Sequence, residues 1–552
     1  MKYIVLFFTF WIVSHFCFAQ KKVYSDKYWI QFKDKNGSLY SLNKPQEFLS
    51  DKALMRRLKY NIKLAENDLP VSSVYIEKLK SLGLNILYSS KWMNGVIIQT
   101  NDSILVDTLY KLPFVFNNRY LPPKHVISQL QTNINFYHVP KFQNYAPLQI
   151  EFEKEPTIKY IYNTHYSDTF DYGFSYQQVA MLNGNVMHNL GYTGKGIYLQ
   201  VQDAGFHNAD KVPAFDSLWL QKRVKRYYDF VDSDTILFLR DDHGLEVLSC
   251  IASNIPGLIM GTAPHLDVNM MRTEDANSEY QIEEYNWLAA AELADSMGVD
   301  VINSSLGYTR FDDISMGYQR WDMDGNTCIG TQAADLAASK GILVVNSAGN
   351  SGDEDWHYIG SPADADSILS VGATYPDGSY CYFSSTGPTV DRRIKPTITA
   401  MGVRVTTQNN YGGISRASGT SFSSPIMAGI SASLWQAHPF LNNMQIIKAL
   451  QRSADQFQSP DSLRGYGLPD CAVAIFFPLS LSSFAKETPY FLSSKDGYES
   501  VWTRTKLTVF SVSGYTLYSG KYDLQKLRGL APGFYWLTTE VDNKEYHFRM
   551  IK

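Results

Sequence analysis

Charge is scarce in this chain. Only 19% of its 552 residues are Asp, Glu, Lys or Arg, and they leave a formal net charge of −4. No polybasic stretch is present to neutralise phosphates, which argues against nucleic acid as a partner. Cysteine is scarcer still, with five in all, and Cys17 falls within the first twenty residues. The other four, Cys250, Cys328, Cys381 and Cys471, form no CxxC pair and no Cys/His spacing suited to zinc. Two readings stay open for them: disulfides in one of three connectivities, or buried free thiols. Internal repeats and low-complexity tracts are also missing, which excludes solenoid architectures.

Long apolar runs are confined to the start. MKYIVLFFTFWIVSHFCFAQ has Lys2 as its positive residue, an apolar stretch from Ile4 to Val13, and the small Ala19 before an expected cut at Gln20. The run is too short for a membrane span and no second span follows. Bulky His15 and Phe16 before Cys17 are the wrong neighbours for a lipid-modified cysteine. Residues 1–19 therefore read as an export signal, to be set aside before any fold reasoning. What remains is long enough for two to four domains, and its 14% of aromatic residues suits a β-rich globular chain.

The remaining text divides into four parts. Residues 20–121 carry KYWIQFK, SSVYIEKLKSLG, NILYSS, MNGVIIQT, DSILVDTLYKL and FVFNNRYL, a βαββαβ order that predicts a ferredoxin-like α+β domain. Residues 122–171, rich in Asn, Gln, Tyr and Pro without periodicity, read as a linker. From 172 to 478, apolar strands such as IYLQVQ, LDVNMMR and ILVVNSAGN alternate with helical stretches such as YNWLAAAELADSMG. That alternation predicts a parallel sheet flanked by helices. Residues 479–552 turn to short β patterns, KLTVFSV, YTLYSG, GFYWLTTEV and EYHFRMI, which predict a small all-β domain.

One stretch of the α/β part raises a chemical question. GTSFSSPIMAG places Ser421 at the start of an apolar helical run, with Pro425 expected close to the helix start. Unpaired N–H groups and the helix dipole favour negative charge there, although a simple N-cap would explain a serine equally well. In open α/β sheets ligands gather at strand carboxyl ends. Asp203 ends IYLQVQD and Asn350 ends ILVVNSAGN, while His243 opens HGLEVLSCIA behind Asp241 and Asp242. Each alone has an ordinary structural explanation as a cap, an ion pair or a turn. Together they supply an orienting carboxylate, a base, a nucleophile and an oxyanion donor, in the chain order Asp, His, Ser known for such triads.

These blocks resemble the subtilases, the subtilisin-type serine peptidases. TGKGIYLQVQDAGF is similar to the family's aspartate block, DDHGLEVLSCIAS to its histidine block and GTSFSSPIMAG to its serine block. VINSSLG resembles the substrate-binding strand, and VVNSAGN the segment with the oxyanion asparagine. FSSTGPTVDRRIKPTITAMG and GYGLPDCAVAI resemble the stretches on either side of the serine block. The resemblance implies a subtilisin-like sheet and catalytic residues Asp203, His243 and Ser421, with Asn350 in the oxyanion hole. It also implies that Ser305, Leu306 and Gly307 present an extended edge to the substrate peptide. Six positions depart from the usual pattern: Ala204 stands for a hydroxyl residue, and HGLE replaces HGTH at Leu245 and Glu246, putting Glu246 at the second histidine. Phe422 and Ser423 replace Met-Ala, and Met401 replaces proline.

The outer parts carry resemblances of their own. The N-terminal domain resembles a subtilase inhibitory propeptide. The C-terminal one, with VFSVSG, LAPGFYWL and a terminal HFRMIK, resembles a type IX secretion sorting domain, though without the usual Asn-Pro entry. The expected product is a monomeric serine endopeptidase that acts on protein or peptide substrates without a cofactor. Its expected destination is the cell surface or the medium, through the periplasm and a secretion machinery that engages the C-terminal domain. Calcium at the DMDGN stretch (Asp322 to Asn326) is a secondary expectation, against a plain polar turn, because no full EF-hand loop follows. A catalytically inactive, subtilase-like surface binding protein is the alternative, yet no triad member is missing. An α/β-hydrolase esterase would need G-x-S-x-G around the serine, which is absent there.

Overall fold

The computed structural model describes residues 23–24, 26–116, 168–475, 506–511, 515–521, 534–541 and 544–551. The expected export signal and nearly all of the expected linker lie outside them. The chain divides into two compact units, Met1–Leu39 with Leu69–His138, and Tyr40–Asp68 with Val139–Lys552.

The chain begins with β1 (Lys27–Gln31), passes through α1 (Asp51–Lys59), and continues with α2 (Ser73–Ser81), β2 (Asn85–Ser90), β3 (Gly95–Gln99) and α3 (Ser103–Leu109). All but α1 belong to the first unit. There β3 lies between β1 and β2, antiparallel to both. Alternation sorts the side chains: Tyr28, Ile30, Val96 and Ile98 share one face, where they meet Leu79 of α2 with Val106 and Leu109 of α3. Of the expected last strand, FVFNNRYL, the described residues show one antiparallel bridge from Val115 to Phe32, and residues beyond 116 lie outside the description. The helix α1 was not foreseen.

The second unit is built on β4 (Tyr198–Asp203), β5 (Val224–Asp229), β6 (Asp267–Arg272), β7 (Val301–Ser304), β8 (Leu343–Ser347), β9 (Leu369–Thr374) and β10 (Ile398–Met401). They form one sheet in the order β10-β9-β8-β7-β4-β6-β5, parallel throughout. Every residue of β4, β7, β8, β9 and β10 is buried, as in a parallel sheet with helices over both faces. The unit's described helices of ten residues or more are α4 (His243–Ala252), α5 (Ile282–Met297), α6 (Ile329–Ser339), α7 (Thr420–Ala437) and α8 (Asn443–Ser453).

Successive residues of β4 show the two layers. Leu199 and Val201 enter the core shared with Leu245 and Leu248 of α4 and Ile426 and Ile430 of α7. Gln200 points the other way and donates to Ala290 O of α5 at 2.8 Å, so its buried amide is satisfied. Because β4 has β6 on one side and β7 on the other, the strand order reverses there. The crevice of an open α/β sheet opens at that reversal, beyond the strand carboxyl ends.

Further on, strands Lys506–Ser511, Thr516–Lys521, Phe534–Val541 and Lys544–Ile551 form a four-stranded antiparallel sheet. All four cysteines of the second unit are buried free thiols, which removes the disulfide reading. Burial pushes each thiol above its ordinary range.

One buried histidine ties the stretch before β4 to Thr262 in the second unit. His188 Nε2 lies 3.0 Å from Thr262 O, and since a carbonyl only accepts, Nε2 carries the proton. Nδ1 then accepts from Tyr172 Oη at 2.7 Å. Burial pulls this imidazole down from 6.5 to about 4. The unfolded chain therefore binds a proton between those values that the folded one refuses, so stability is lost as pH falls from 6.5 toward 4. The expected loss is about 3 kcal/mol, read by urea unfolding of a Ser421→Ala protein at stepped pH. A His188→Gln protein should show a flatter profile, and identical slopes in the two would refute the assignment.

Candidate active site

Asp203 closes β4 and is fully buried, so its charge needs partners. Two hydrogen bonds reach Oδ1: the Ala204 N–H at 2.8 Å and His243 Nδ1 at 2.6 Å. Oδ2 is buried with no hydrogen bond among the described residues. His243 is the first residue of α4, and its own N–H is held by Asp241 Oδ1 at 2.8 Å. The helix comes this close because residue 244 is glycine. A Cβ there would sit 2.8 Å from Asp203 Cβ and would press on Gly205 O. With Nδ1–H committed to the carboxylate, the neutral imidazole carries its lone pair on Nε2.

Burial works against the imidazolium, but the Asp203 charge and hydrogen bond, helped by Asp241 and Glu246, outweigh it and place His243 at about 9. Glu246, one turn along α4, is itself raised to about 7 by burial and lies 3.4 Å from Thr407 Oγ1. The Phe422 ring sits beside the imidazole, with centroids 5.8 Å apart.

Ser421 is the second residue of α7, and Gly419, not the serine, caps the helix. The simple N-cap explanation for Ser421 therefore falls away. Pro425 stands inside α7 as its sixth residue, deeper than its sequence position suggested. Its missing N–H leaves the carbonyl four residues earlier without a helical donor, and that carbonyl belongs to Ser421. Ser305 Oγ donates to it at 2.8 Å, while Ser421 Oγ lies 3.4 Å from Ser305 O. A reciprocal pair thus joins the serine turn to the end of β7.

Asn350 follows β8. Its Oδ1 accepts from both the N–H and Oγ1 of Thr420, at 2.8 and 2.9 Å, and Thr420 Oγ1 accepts from Gly349 N at 3.1 Å. The amide oxygen is fully engaged, so the orientation of the side chain is fixed and Nδ2 is left as its donor end. Leu306 O accepts from Asn346 Nδ2 at 3.1 Å, whereas Gly307 is exposed. The fold therefore brings Ser305 to Ser421 and His243 to Asp203, and it orients Asn350 through Thr420. Thr420 and the role of Pro425 were missed in the sequence. The only signal for either was that both lie inside GTSFSSPIMAG.

The DMDGN stretch folds as a turn closed on itself: Asp324 accepts from Asn326 N, Thr327 N and Thr327 Oγ1. A carboxylate cluster not foreseen, Glu274, Glu279 and Glu283, has oxygens within 4.8 Å of one another. Glu274 accepts from Tyr308 Oη, and Glu283 from the N–H groups of Asp275 and Tyr280.

The model of the subtilase family matches residues 182–468, more than half of the chain. The chain belongs to the subtilase family. A second model, the Bacteroidota-type peptidase S8 propeptide domain, matches residues 27–135. Subtilisin E of Bacillus subtilis is 29% identical over 313 residues, covering 55% of this chain and 72% of that one. Subtilisin of Bacillus pumilus is 29% identical over 281 residues, covering 50% of this chain and 90% of its own. The MycP3 protease of a type VII secretion system aligns at a TM-score of 0.42 with 22% identity, over 54% of this chain and 87% of the other. The subtilase is a serine endopeptidase with a subtilisin-like α/β fold. Among the described residues no helix is long and apolar enough to cross a membrane.

A base that must take up a proton works only when neutral. If His243, at about 9, serves as that base, kcat/KM on a chromogenic peptide should climb through neutral pH and level off only near that value. A limb near 6.5, the value of an unperturbed imidazole, would refute this reading.

Proposed function

We propose that this subtilase is exported and cleaves peptide bonds through an acyl-enzyme formed on Ser421. His243 Nε2 takes the proton from Ser421 Oγ as the hydroxyl attacks the scissile carbonyl, then returns it to the leaving amine. Asp203 holds the ring tautomer and stabilises the imidazolium. The Ser421 N–H and Asn350 Nδ2 receive the tetrahedral oxyanion, each such donor contributing about 10²–10³ in turnover. Substrate pairs as an added strand along residues 305–307, where exposed Gly307 allows close backbone approach. The single observation that carries the reading is the 2.6 Å contact between His243 Nδ1 and Asp203 Oδ1 at the switch-point strand.

Residues 20–121 are proposed as an inhibitory prosegment removed by a cut between 122 and 171, in keeping with the propeptide match over 27–135. Export begins with the leader, residues 1–19. The antiparallel sheet after residue 505 supports the reading of residues 479–552 as a sorting domain for a type IX machinery that delivers the enzyme from the periplasm to the surface or medium. The inactive binding protein is the competing reading, and labelling of Ser421 by a serine-reactive phosphonate separates the two.

Replacing Ser421 by Ala should lower casein cleavage by at least about 10⁴-fold while leaving the unfolding curve in place. Equal cleavage by purified mutant and parent would overturn the assignment. A chain ending near Ser483 should stay active in lysate yet accumulate in the periplasm. Normal delivery of that form to the medium would exclude the sorting role, and loss of lysate activity would make the segment part of the enzyme.

A further inference from the structure

The propeptide match runs without a break over residues 27–135, yet Tyr40–Asp68 folds with the peptidase unit. The contacts explain why. Arg56 and Arg57 are 5% and 3% exposed, on a helix whose sequence, DKALMRRLK, has no obvious place for buried charge. Both reach one carboxylate: Arg56 Nη2 lies 2.7 Å from Asp295 Oδ1, and Arg57 Nη2 lies 2.8 Å from Oδ2. Asp295 is fully buried in the last turn of α5. Arg57 also holds Asp68 at 2.7 Å, and Lys340 closes the network on Asp68 at 3.1 Å and on Asn67 Oδ1 at 2.7 Å.

Helix ends add to the network. Arg56 donates to Val299 O just past α5 and to Lys340 O just past α6, so one guanidinium caps two helix C-termini. The backbone is joined too, Ser50 N donating to Ser296 O at 2.9 Å. Gly298 (φ +79) and Gly341 (φ +86) end these helices, and a Cβ on either would strike Lys52 Cβ at 2.7 Å or Ile62 Cδ1 at 2.8 Å. Close seating of the segment uses both glycines. Tyr60 lies against Trp435 of α7, with ring centroids 6.4 Å apart.

Without the segment, Asp295 would be a carboxylate at the negative end of a helix with its two cationic partners gone. The two adjacent arginines supply that surface with the charge opposite to its own. We propose that Tyr40–Asp68 is an anchor that keeps the prosegment on the peptidase after the chain is cut between 122 and 171, with Asp295 as the receptor for the Arg56–Arg57 pair. This rests on the reading of residues 20–121 as a removable prosegment. The first unit runs out at Leu39 and resumes at Leu69, so the anchor is covalently continuous with it on both sides. Release then requires the ion-pair network to break or the segment itself to be digested.

The test uses the full chain carrying Ser421→Ala and a recognition site for an unrelated protease placed between 122 and 167. After that cut the N-terminal fragment should co-elute with the peptidase on gel filtration. Arg56→Ala with Arg57→Ala, or Asp295→Asn alone, should speed its dissociation about a hundredfold or more. Lys44→Ala, at an exposed surface pair, should leave the rate unchanged. Should the arginine or aspartate variants fail to fold, hydrogen exchange on the cut parent decides, since amides of Asp51–Lys59 should stay protected. Immediate separation of the cut parent, rapid exchange in that helix, or an unchanged rate in folded variants would overturn the anchor. Because the serine is already replaced, none of these outcomes depends on the catalytic reading. N-terminal sequencing of the wild-type enzyme tests removal of the prosegment separately.

Discussion

A buried carboxylate at the end of β4 sets the conditions for everything around it. Asp203 has no access to water and receives only two hydrogen bonds among the described residues, both on Oδ1. Such a charge is tolerable only if a cation, or a group that can become one, is held against it. The demand reaches the backbone, because α4 must start within contact of the strand, and only glycine at 244 permits that approach. It also reaches the chemistry. A histidine kept this close to an under-solvated carboxylate is a stronger base than a free imidazole, which suits proton abstraction from a serine and limits it at low pH. Ala204 stands where the family usually has a hydroxyl, and Asp203 Oδ2 has no hydrogen bond among the described residues. More of the charge then falls to His243 to balance.

A second dependence runs through α7. Proline inside a helix ordinarily weakens it by removing one backbone hydrogen bond. Here the vacated acceptor is Ser421 O, and Ser305 Oγ fills it at 2.8 Å. The helix loses a local bond and gains one to β7, next to the residues proposed to pair with substrate. Thr420 performs the matching task toward β8 by holding Asn350 Oδ1 with two donors. The turn of Ser421, the Asn350 side chain and residues 305–307, proposed as nucleophile, oxyanion donor and substrate edge, therefore come from three separate elements but are fixed to one another by named bonds. Precise placement of this kind is what electrostatic stabilisation of an oxyanion needs.

The contrast between what could be read and what could not has a physical basis. The sheet was legible because strands such as β4, β6 and β8 alternate along the chain with helical stretches, the pattern of a parallel sheet flanked by helices. Asp203, His243, Ser421 and Asn350 drew attention as candidates because each sits near a strand end or helix start inside a distinctive local sequence. Pro425 was misjudged because proline position is a local rule, whereas its compensation comes from Ser305, 116 residues away from Ser421. The state of the cysteines was undetermined for the same reason, since burial in a core is a tertiary fact. The Arg56–Arg57 pair is the extreme case. On a short amphipathic helix two arginines read as solvent-facing charge, and Asp295, 238 residues from Arg57, gives no sign in α5 of what it receives.

That last pair also bears on how such a chain can fold and later come apart. Buried ion pairs contribute little net stability when formed, because both partners lose their hydration, but they are costly to break one partner at a time. An interface made of them is therefore discriminating more than it is strong. Asp295 at a helix C-terminus accepts the arginines and offers nothing comparable to an apolar or acidic segment. The network thus specifies where Tyr40–Asp68 seats on α5 and α6, while the apolar contact of Tyr60 with Trp435 and the close approach at Gly298 and Gly341 supply the packing. Specificity resides in charge and packing in glycine-enabled proximity, so a single substitution at Asp295 should loosen the attachment without disturbing the sheet that carries Asp203.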